Sequence, residues 1–276
     1  MNTKVSFDYA LGYTEAELQR LIRQSEFYAE FTGDVLQRAG LGKGMRVLDV
    51  GCGPGDVSLL AARMVGPTGA VFAVDRSEES LTLAAARAQR AGIHNIRFIR
   101  EELTHLEFNE PFDALIGRFV LMFLPDPADV LRRLVQFLRA GGIVAFQEMI
   151  VRNSSTEPLD LPLWGQCGRW IRDGFMQSGV DVEMGAKLYA TYLKAGLPGP
   201  EMNLRARISG GKNSPHPEYL AGIIASLLPM LERHGIVKRD DVDIETLALR
   251  LQEELTTHDA VSILPSLVGA WTRKSI

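Results

Sequence analysis

Apolar residues along this chain fall into short runs separated by stretches of helical period. The first clear run is Val47, Leu48 and Val50, broken only by Asp49, a pattern suited to a parallel strand buried on both faces. Gly51, Cys52, Gly53, Pro54 and Gly55 then turn the chain into a helix over about residues 56–64, and a second strand over 71–74 ends on Asp75. The alternation continues. Alanine-rich residues 79–91 read as a helix stopped by Gly92, Ile96, Phe98 and Ile99 as a third strand, and residues 112–117 as a fourth. Pro127 opens a helix over 128–138, Gly141 and Gly142 make a turn, and residues 143–149 form a fifth strand. Repeated strand–helix units of this kind predict a parallel, doubly wound α/β sheet.

The flanks carry other patterns. Thr14 with Glu17 three residues on is a capping box, and Leu18, Leu21, Ile22, Phe27, Tyr28 and Phe31 follow with helical spacing. One or two amphipathic helices are expected there, completed by residues 34–39 and linked to the first strand through Gly40, Gly42 and Gly44. Beyond Met149, residues 163–177, 184–195, 217–234 and 244–255 read as helices, 202–208 as a strand and 261–272 as mostly strand. The expected organisation is an N-terminal helical cap over 1–44, a core over 45–150, and a region over 151–276. That last region holds helices and the last two strands, with a helical insertion at about 210–258.

A length of 276 residues with 46% hydrophobic content is enough for one α/β catalytic unit with a substantial addition. The net charge is −4 and no lysine or arginine run stands out, so nucleic acid is not an expected partner. The amino terminus shows neither signal nor transit pattern and no apolar run reaches membrane-spanning length, which leads to the expectation of a cytoplasmic protein without a membrane partner. Cys52 and Cys167 have no C-x-x-C spacing and imply neither a metal site nor a disulfide framework.

The glycine loop is where ligand chemistry enters. Glycines let a ligand approach bare backbone, the following helix aims free amides over the loop, and a carboxylate at Asp75 can accept both hydroxyls of a ribose. The loop reads G-x-G-x-G, and Asp56 stands where a dinucleotide fingerprint needs its third glycine. An acid, Asp49, followed two residues later by G-x-G-x-G resembles the first motif of the class I S-adenosylmethionine (SAM) dependent methyltransferases of small-molecule type. The resemblance covers residues 45–150 firmly and the flanks loosely. It implies a doubly wound, seven-stranded, mostly parallel sheet with N-terminal helices and a C-terminal helical lid insertion between the last two strands, which would form an antiparallel edge.

The resemblance further implies SAM as cofactor, S-adenosylhomocysteine as product, and no metal. Gly51, Cys52, Gly53 and Gly55 would approach the amino-acid part of SAM, Asp49 would help hold its ammonium, Asp75 with neighbouring Arg76 would take the ribose, and Glu102 with Leu103 the adenine. Tyr9, Tyr13 and Tyr28 on the leading helices become candidates to cover cofactor or substrate, Tyr13 among the substrate contacts.

A sulfonium carries its own leaving group, so transfer needs an aligned nucleophile and exclusion of water more than a catalytic triad. A base helps only where the acceptor is not already ionised. Of the five histidines, His94 and His105 fall in turns and His234 near a helix end, while His216, between Pro215 and Pro217, and His258 are candidate bases. Arg118 follows the fourth strand, where a parallel sheet presents its crevice, and can pair with a carboxylate of SAM, of substrate or of the protein, for example Glu148. It is a candidate for both cofactor binding and catalysis. Phe119, Met122, Gln147 and Glu148 lie near that crevice, and Trp164, Trp170, Phe175, Tyr189 and Tyr192 recur through the following helices. Phe119, Met122, Glu148, Trp164 and Tyr189 are the substrate candidates, and an apolar or aromatic acceptor is suggested.

No Asn-Pro-Pro-Tyr type motif follows the fourth strand, and the acid and Asp-Asn pair that a magnesium-dependent catechol methylation needs are missing. The expected activity is methyl transfer to a small, partly apolar or aromatic metabolite of secondary metabolism, with oxygen ahead of nitrogen or carbon as acceptor. A SAM-binding decarboxylase or cyclase, a nicotinamide-dependent oxidoreductase and a noncatalytic SAM-binding module remain as alternatives. A homodimer is expected, with residues 223–231 either its face or the inside of the lid.

Overall fold

The computed structural model describes residues 15–151 and 161–275. Thr14 of the capping box, Tyr9 and Tyr13 lie outside the described residues. The chain divides into two compact units, one of Leu21–Ile150, Glu183–Arg205 and Ser266–Ile276, the other of Met1–Arg20, Val151–Val182 and Ala206–Pro265.

The larger unit is built on a sheet of β1 (Arg46–Val50), β2 (Ala70–Asp75), β3 (Ile96–Arg100), β4 (Phe112–Arg118), β5 (Leu138–Ile150), β6 (Glu201–Arg205) and β9 (Ser266–Arg273). Its order is β3-β2-β1-β4-β5-β9-β6. Every pairing from β3 to β5 is parallel, and β9 runs antiparallel to both β5 and β6. The parallel, doubly wound part is the one expected from the alternation of strand and helix, and the seven strands with an antiparallel edge are those the family resemblance implies. The strands are apolar because both faces are covered. On one side Val47, Ala114, Ile116, Ile143 and Ala145 pack with Val35 and Leu36 of helix α1 (Glu15–Arg38), with Ala39 just beyond it, and with Val57, Ala61 and Val65 of α2 (Asp56–Val65). Helices α3 (Glu78–Arg90), α4 (Pro127–Leu134) and α6 (Met184–Lys194) complete this unit. The phenol of Tyr192 on α6 donates to Ala270 O at 2.8 Å and accepts from Phe146 N at 3.1 Å, so this aromatic anchors its helix to the sheet.

The leading region forms one 24-residue helix, within the one or two expected. Three other elements differ from expectation. Helix α4 stops at Leu134 and a 3-10 turn over Val135–Phe137 replaces its last turn, because Leu138 already pairs with Phe112 in a bulged register with β4. The strand expected over 202–208 is broken into β6 and β7 (Ile208–Gly210). Likewise β8 (Val261–Ile263) is separate from β9, with Pro265, which has no N–H to give to a ladder, between them.

The smaller unit holds α5 (Pro162–Gln177), α7 (His216–Arg233), α8 (Arg239–Val242), α9 (Ile244–Thr257) and the antiparallel β7–β8 ribbon. Helix α7 packs against both α5 and α9. Its Ile224, Leu227, Leu228 and Leu231 are buried, so the apolar stretch 223–231 is interior packing and not a dimer face. The Glu254 carboxylate on α9 accepts the amides of Leu163 and Trp164 at 2.8 and 2.9 Å and so caps the start of α5, which has no side-chain cap of its own. Among the described residues no helix is long and apolar enough to cross a membrane.

Candidate cofactor site at the glycine loop

The strand order reverses between β1 and β4, and the loop that leaves β1 lies at the carboxyl end of the sheet, where open α/β sheets bind ligands. Its three glycines do different work. All have positive φ, of 61° at Gly51, 52° at Gly53 and 84° at Gly55, a region costly for other residues. A Cβ at Gly51 would stand 2.7 Å from Val120 Cγ2, and one at Gly55 2.9 Å from Ala84 Cβ on α3, so these two are demanded by packing. A Cβ at Gly53 would meet nothing within 4 Å. Gly53 is therefore the position that presents bare backbone to open space.

Asp75 closes the loop from the end of β2. Its Oδ2 accepts the Gly53 amide at 2.8 Å and its Oδ1 the Ser77 amide at 2.9 Å. Burial raises its pKa and those two amides oppose the rise. Asp49, at the end of β1, is buried and accepts the Ser58 hydroxyl at 2.5 Å. Burial pushes its pKa up to about 7, against the Ser58 hydrogen bond and the Arg118 charge, with the charges of Asp75 and Asp56 adding to the rise. The Cys52 thiol is likewise pushed well above its ordinary value by burial and the nearby carboxylates. The loop thus concentrates acidic groups that a cation and hydroxyl donors would relieve, and the residues present fit the ammonium and ribose of a SAM-like ligand.

Salt bridges hold this arrangement in place. Arg87 on α3 pairs with Asp56 at 2.6 Å and donates to Pro54 O at 2.5 Å, which ties the loop to the helix behind it. Arg118, almost fully buried, donates to Thr32 Oγ1 on α1 at 2.9 Å and stands 3.9 Å from Asp56 Oδ2. Phe119 follows at φ 57°, an outlying conformation for a bulky residue, and its ring meets Tyr28 edge to face at 5.5 Å. Glu148, buried at the end of β5, accepts the amides of Val120 and Leu121 through Oε1 at 3.0 and 2.7 Å. It thereby fixes the segment after β4, where Met122 is also buried.

Residues 41–166 match a family model described as a methyltransferase domain. This stretch of the chain matches methyltransferase domains, and the seven-stranded sheet around it has the class I SAM-dependent methyltransferase fold. Among curated relatives, this domain is similar to demethylmenaquinone methyltransferase of Geobacillus stearothermophilus, 34% identical over 116 residues, which are 42% of this chain and 50% of the relative. It is also similar to arsenite methyltransferase of Aquipseudomonas alcaligenes, 32% identical over 152 residues, 51% of this chain and 44% of the relative. The chain spans about half the length of these curated relatives. A solved Bacillus halodurans protein classed as a methyltransferase shares the fold with a TM-score of 0.59 at 16% identity, over 89% of this chain and 99% of that one.

Within the methyltransferase domain, the glycine loop, Asp49, Asp75, Arg118 and Phe119 gather at one end of the sheet, and Arg76 follows Asp75 half-buried. Glu102 is exposed and Leu103 half-buried in the turn after β3, where the Glu101 amide donates to Asp75 O at 3.2 Å. Tyr189 lies exposed on α6 over Gly199. In the smaller unit Trp164 is buried, His258 is exposed at the end of α9, and His216 is buried at the start of α7. His216 Nδ1 lies 2.8 Å from Ser262 Oγ, whose hydroxyl donates onward to Ser209 O at 3.2 Å. That relay places the proton on Nδ1. Burial lowers the His216 pKa to about 4, so the ring is neutral at physiological pH. Among the described residues no group of three or more His, Cys, Asp or Glu is arranged to hold a metal.

Ser58, Thr32 and Arg87 were not foreseen from sequence. Ser58 had a signal, since the first turn after a glycine loop faces the strand end. Thr32, 86 residues from Arg118, had none.

Proposed function

We propose that this chain transfers the methyl group of SAM to a small, partly apolar or aromatic metabolite, with oxygen ahead of nitrogen or carbon as the accepting atom. The observation that carries this reading is the carboxylate of Asp75, held by the Gly53 and Ser77 amides beside the open face of Gly53 and the buried acid Asp49. In this reading Asp75 receives the ribose hydroxyls, with Arg76 beside it, and Glu102 and Leu103 flank the adenine. Asp49, steadied by Ser58, faces the ammonium, and Arg118, steadied by Thr32, answers a carboxylate of cofactor or acceptor. Bound SAM supplies an activated methyl carbon with its own leaving group. The protein then has to orient the acceptor and exclude water.

The proposed substrate contacts are Phe119, Met122, Glu148, Trp164, Tyr13 and Tyr189. A carboxylic acid is ionised near neutral pH and needs no base, whereas a phenol must give up its proton; His216, kept neutral by burial, and His258 are the candidate bases to take it. The relatives' names, demethylmenaquinone methyltransferase and arsenite methyltransferase, support a small acceptor. Cys52 and Cys167 are both buried free thiols, in keeping with a reducing, cytoplasmic setting.

The test is calorimetric binding of SAM, S-adenosylhomocysteine and NAD to wild type and to Asp75→Ala, followed by transfer of isotope-labelled methyl to a panel of phenols, carboxylic acids and amines. Tight SAM binding lost in the variant, with label on an oxygen acceptor, is the expected result. NAD binding, or no adenosine ligand at all, overturns the reading.

A further inference from the structure

Strand β6 ends the seven-stranded sheet, and among the described residues no strand pairs with its outer edge. Unpaired edges are normally blunted by short length, charged side chains, proline or bulges, and β6 has the first two in its five residues with Glu201 and Arg205 at its ends. β6 has the sequence Glu201-Met202-Asn203-Leu204-Arg205, without proline, and its register with β9 is unbroken.

One face of this edge is apolar. Leu204 pairs with Val268 and Met202 with Ala270, so each points to the side of its partner. That side is the one on which α6 lies, since a Cβ at Gly185 of α6 would meet Val268 Cγ2 at 3.0 Å. Leu204 is 59% exposed, Tyr189 50%, Leu193 48% and Met202 38%. Four large apolar side chains from α6 and β6 thus stand in solvent on one face beside an open edge, and Tyr189 reaches toward β6 by lying against Gly199. Large apolar side chains left exposed beside one another in sequence and strand order favour an association surface.

The order of residues along β6 identifies the occupant as a second copy of the same strand. Reversed against itself about Asn203, the strand sets Glu201 opposite the partner subunit's Arg205, and Met202 opposite the partner subunit's Leu204. Every opposition is charge with countercharge, apolar with apolar, or amide with amide. On the polar face Arg205 donates to Asp34 through Nη2 at 2.8 Å, and the guanidinium has further N–H groups to offer. A twofold interface has to be self-complementary in this way.

We propose that β6 is the seam of a homodimer, in which two copies pair antiparallel about a twofold axis at Asn203 and join their sheets into one. The inference is independent of the methyl-transfer reading. A five-residue strand with four apolar side chains is a small interface, so association is expected at roughly 1 to 100 µM.

Sedimentation of the full chain tests it, together with two kinds of variant. Wild type is expected to dimerise over that concentration range, and Leu204→Lys to remain monomeric with unchanged circular dichroism and SAM binding. Asn203→Cys, at the axis, is expected to form an intersubunit disulfide on mild oxidation, because directly opposed residues lie about 4.5 to 5.5 Å apart. Glu201→Cys alone is expected to form none, and a mixture of Glu201→Cys and Arg205→Cys chains is expected to cross-link. The native thiols are both buried and do not compete. A wild type that stays monomeric, a dimer that survives Leu204→Lys, or cross-linking at Glu201→Cys alone as efficient as at Asn203→Cys overturns the proposal.

Discussion

Each of the two units buries an ionisable group against a serine hydroxyl: Asp49 with Ser58 in the sheet unit, His216 with Ser262 in the helical unit. Burial acts on both by the same physics, disfavouring charge, and so raises one pKa to about 7 and lowers the other to about 4. Their surroundings separate them. The Ser262 hydroxyl donates a hydrogen bond to the Ser209 carbonyl, which ties the start of α7 to the β7–β8 ribbon and closes the chain of hydrogen bonds. Asp49 instead sits among Asp56, Asp75 and a glycine loop whose backbone at Gly53 faces open space. Where a buried polar group already closes a circuit, the fold itself satisfies it. Where like charges accumulate beside open backbone, a bound cation would relieve them, as the methyl-transfer reading proposes.

The largest effect is expected where that distinction is broken outright. Asp75→Ala should weaken SAM binding by about 30-fold or more, the equivalent of about 2 kcal/mol for lost charge-assisted hydrogen bonds. Calorimetry should show this while His216→Ala, in the other unit, leaves SAM affinity near wild type. Equal loss in both variants would remove the division of labour.

Gly51→Ala sharpens the same point within the loop. A side chain there meets Val120 at 2.7 Å in a backbone conformation of φ 61°, and should cost about 2 kcal/mol of stability in denaturant titration. The same exchange at Gly53, which has φ 52° but open space, should spend its effect on SAM affinity more than on packing.

How far these positions were legible differs by element. The β1-loop-α2-β2 unit could be read because its chemistry is contiguous: apolar run, glycines, helix, apolar run, acid. The roles within it could not, since Gly51 and Gly55 answer to Val120 and Ala84, residues brought near only by folding. Arg118 was visible as a cation after β4, but its partner Thr32 is set by the packing of α1. His216 stood out between two prolines, yet its serine relay joins residues 46 apart and its burial has no local signature. The 3-10 turn before β5 was missed because the amphipathic pattern of α4 runs on past the point where strand register takes over.

In the helical unit the effects are smaller and fall on stability. Glu254→Ala should cost about 1 kcal/mol by uncapping α5 at Leu163 and Trp164, as loss of a helix cap usually does, with no change in SAM affinity. Wild-type stability should also carry the mark of His216. Its folded pKa of about 4 lies below the ordinary 6.5, so the stability it contributes is present above about 6.5 and is lost as pH falls toward 4. Thermal unfolding of His216→Asn should show a shallower dependence across that window.

Asp49 predicts a slope of the opposite sign. Its folded pKa of about 7 lies above the ordinary 3.8, so the unfolded chain releases the proton first, and Asp49 loses its stabilising contribution as pH rises from about 4 to 7. A bound ammonium favours the ionised carboxylate, so SAM binding near pH 6 should expel a proton from Asp49. Affinity should then rise with pH up to about 7 by at most tenfold per unit and flatten above it. Calorimetry in buffers of different ionisation enthalpy reads the proton directly. Asp49→Asn should abolish both the release and the slope, whereas His216→Asn should leave them intact. Persistence of the proton release in Asp49→Asn would mean that the acid buried at the loop is structural after all, and that the two serine-bonded groups differ in sign alone.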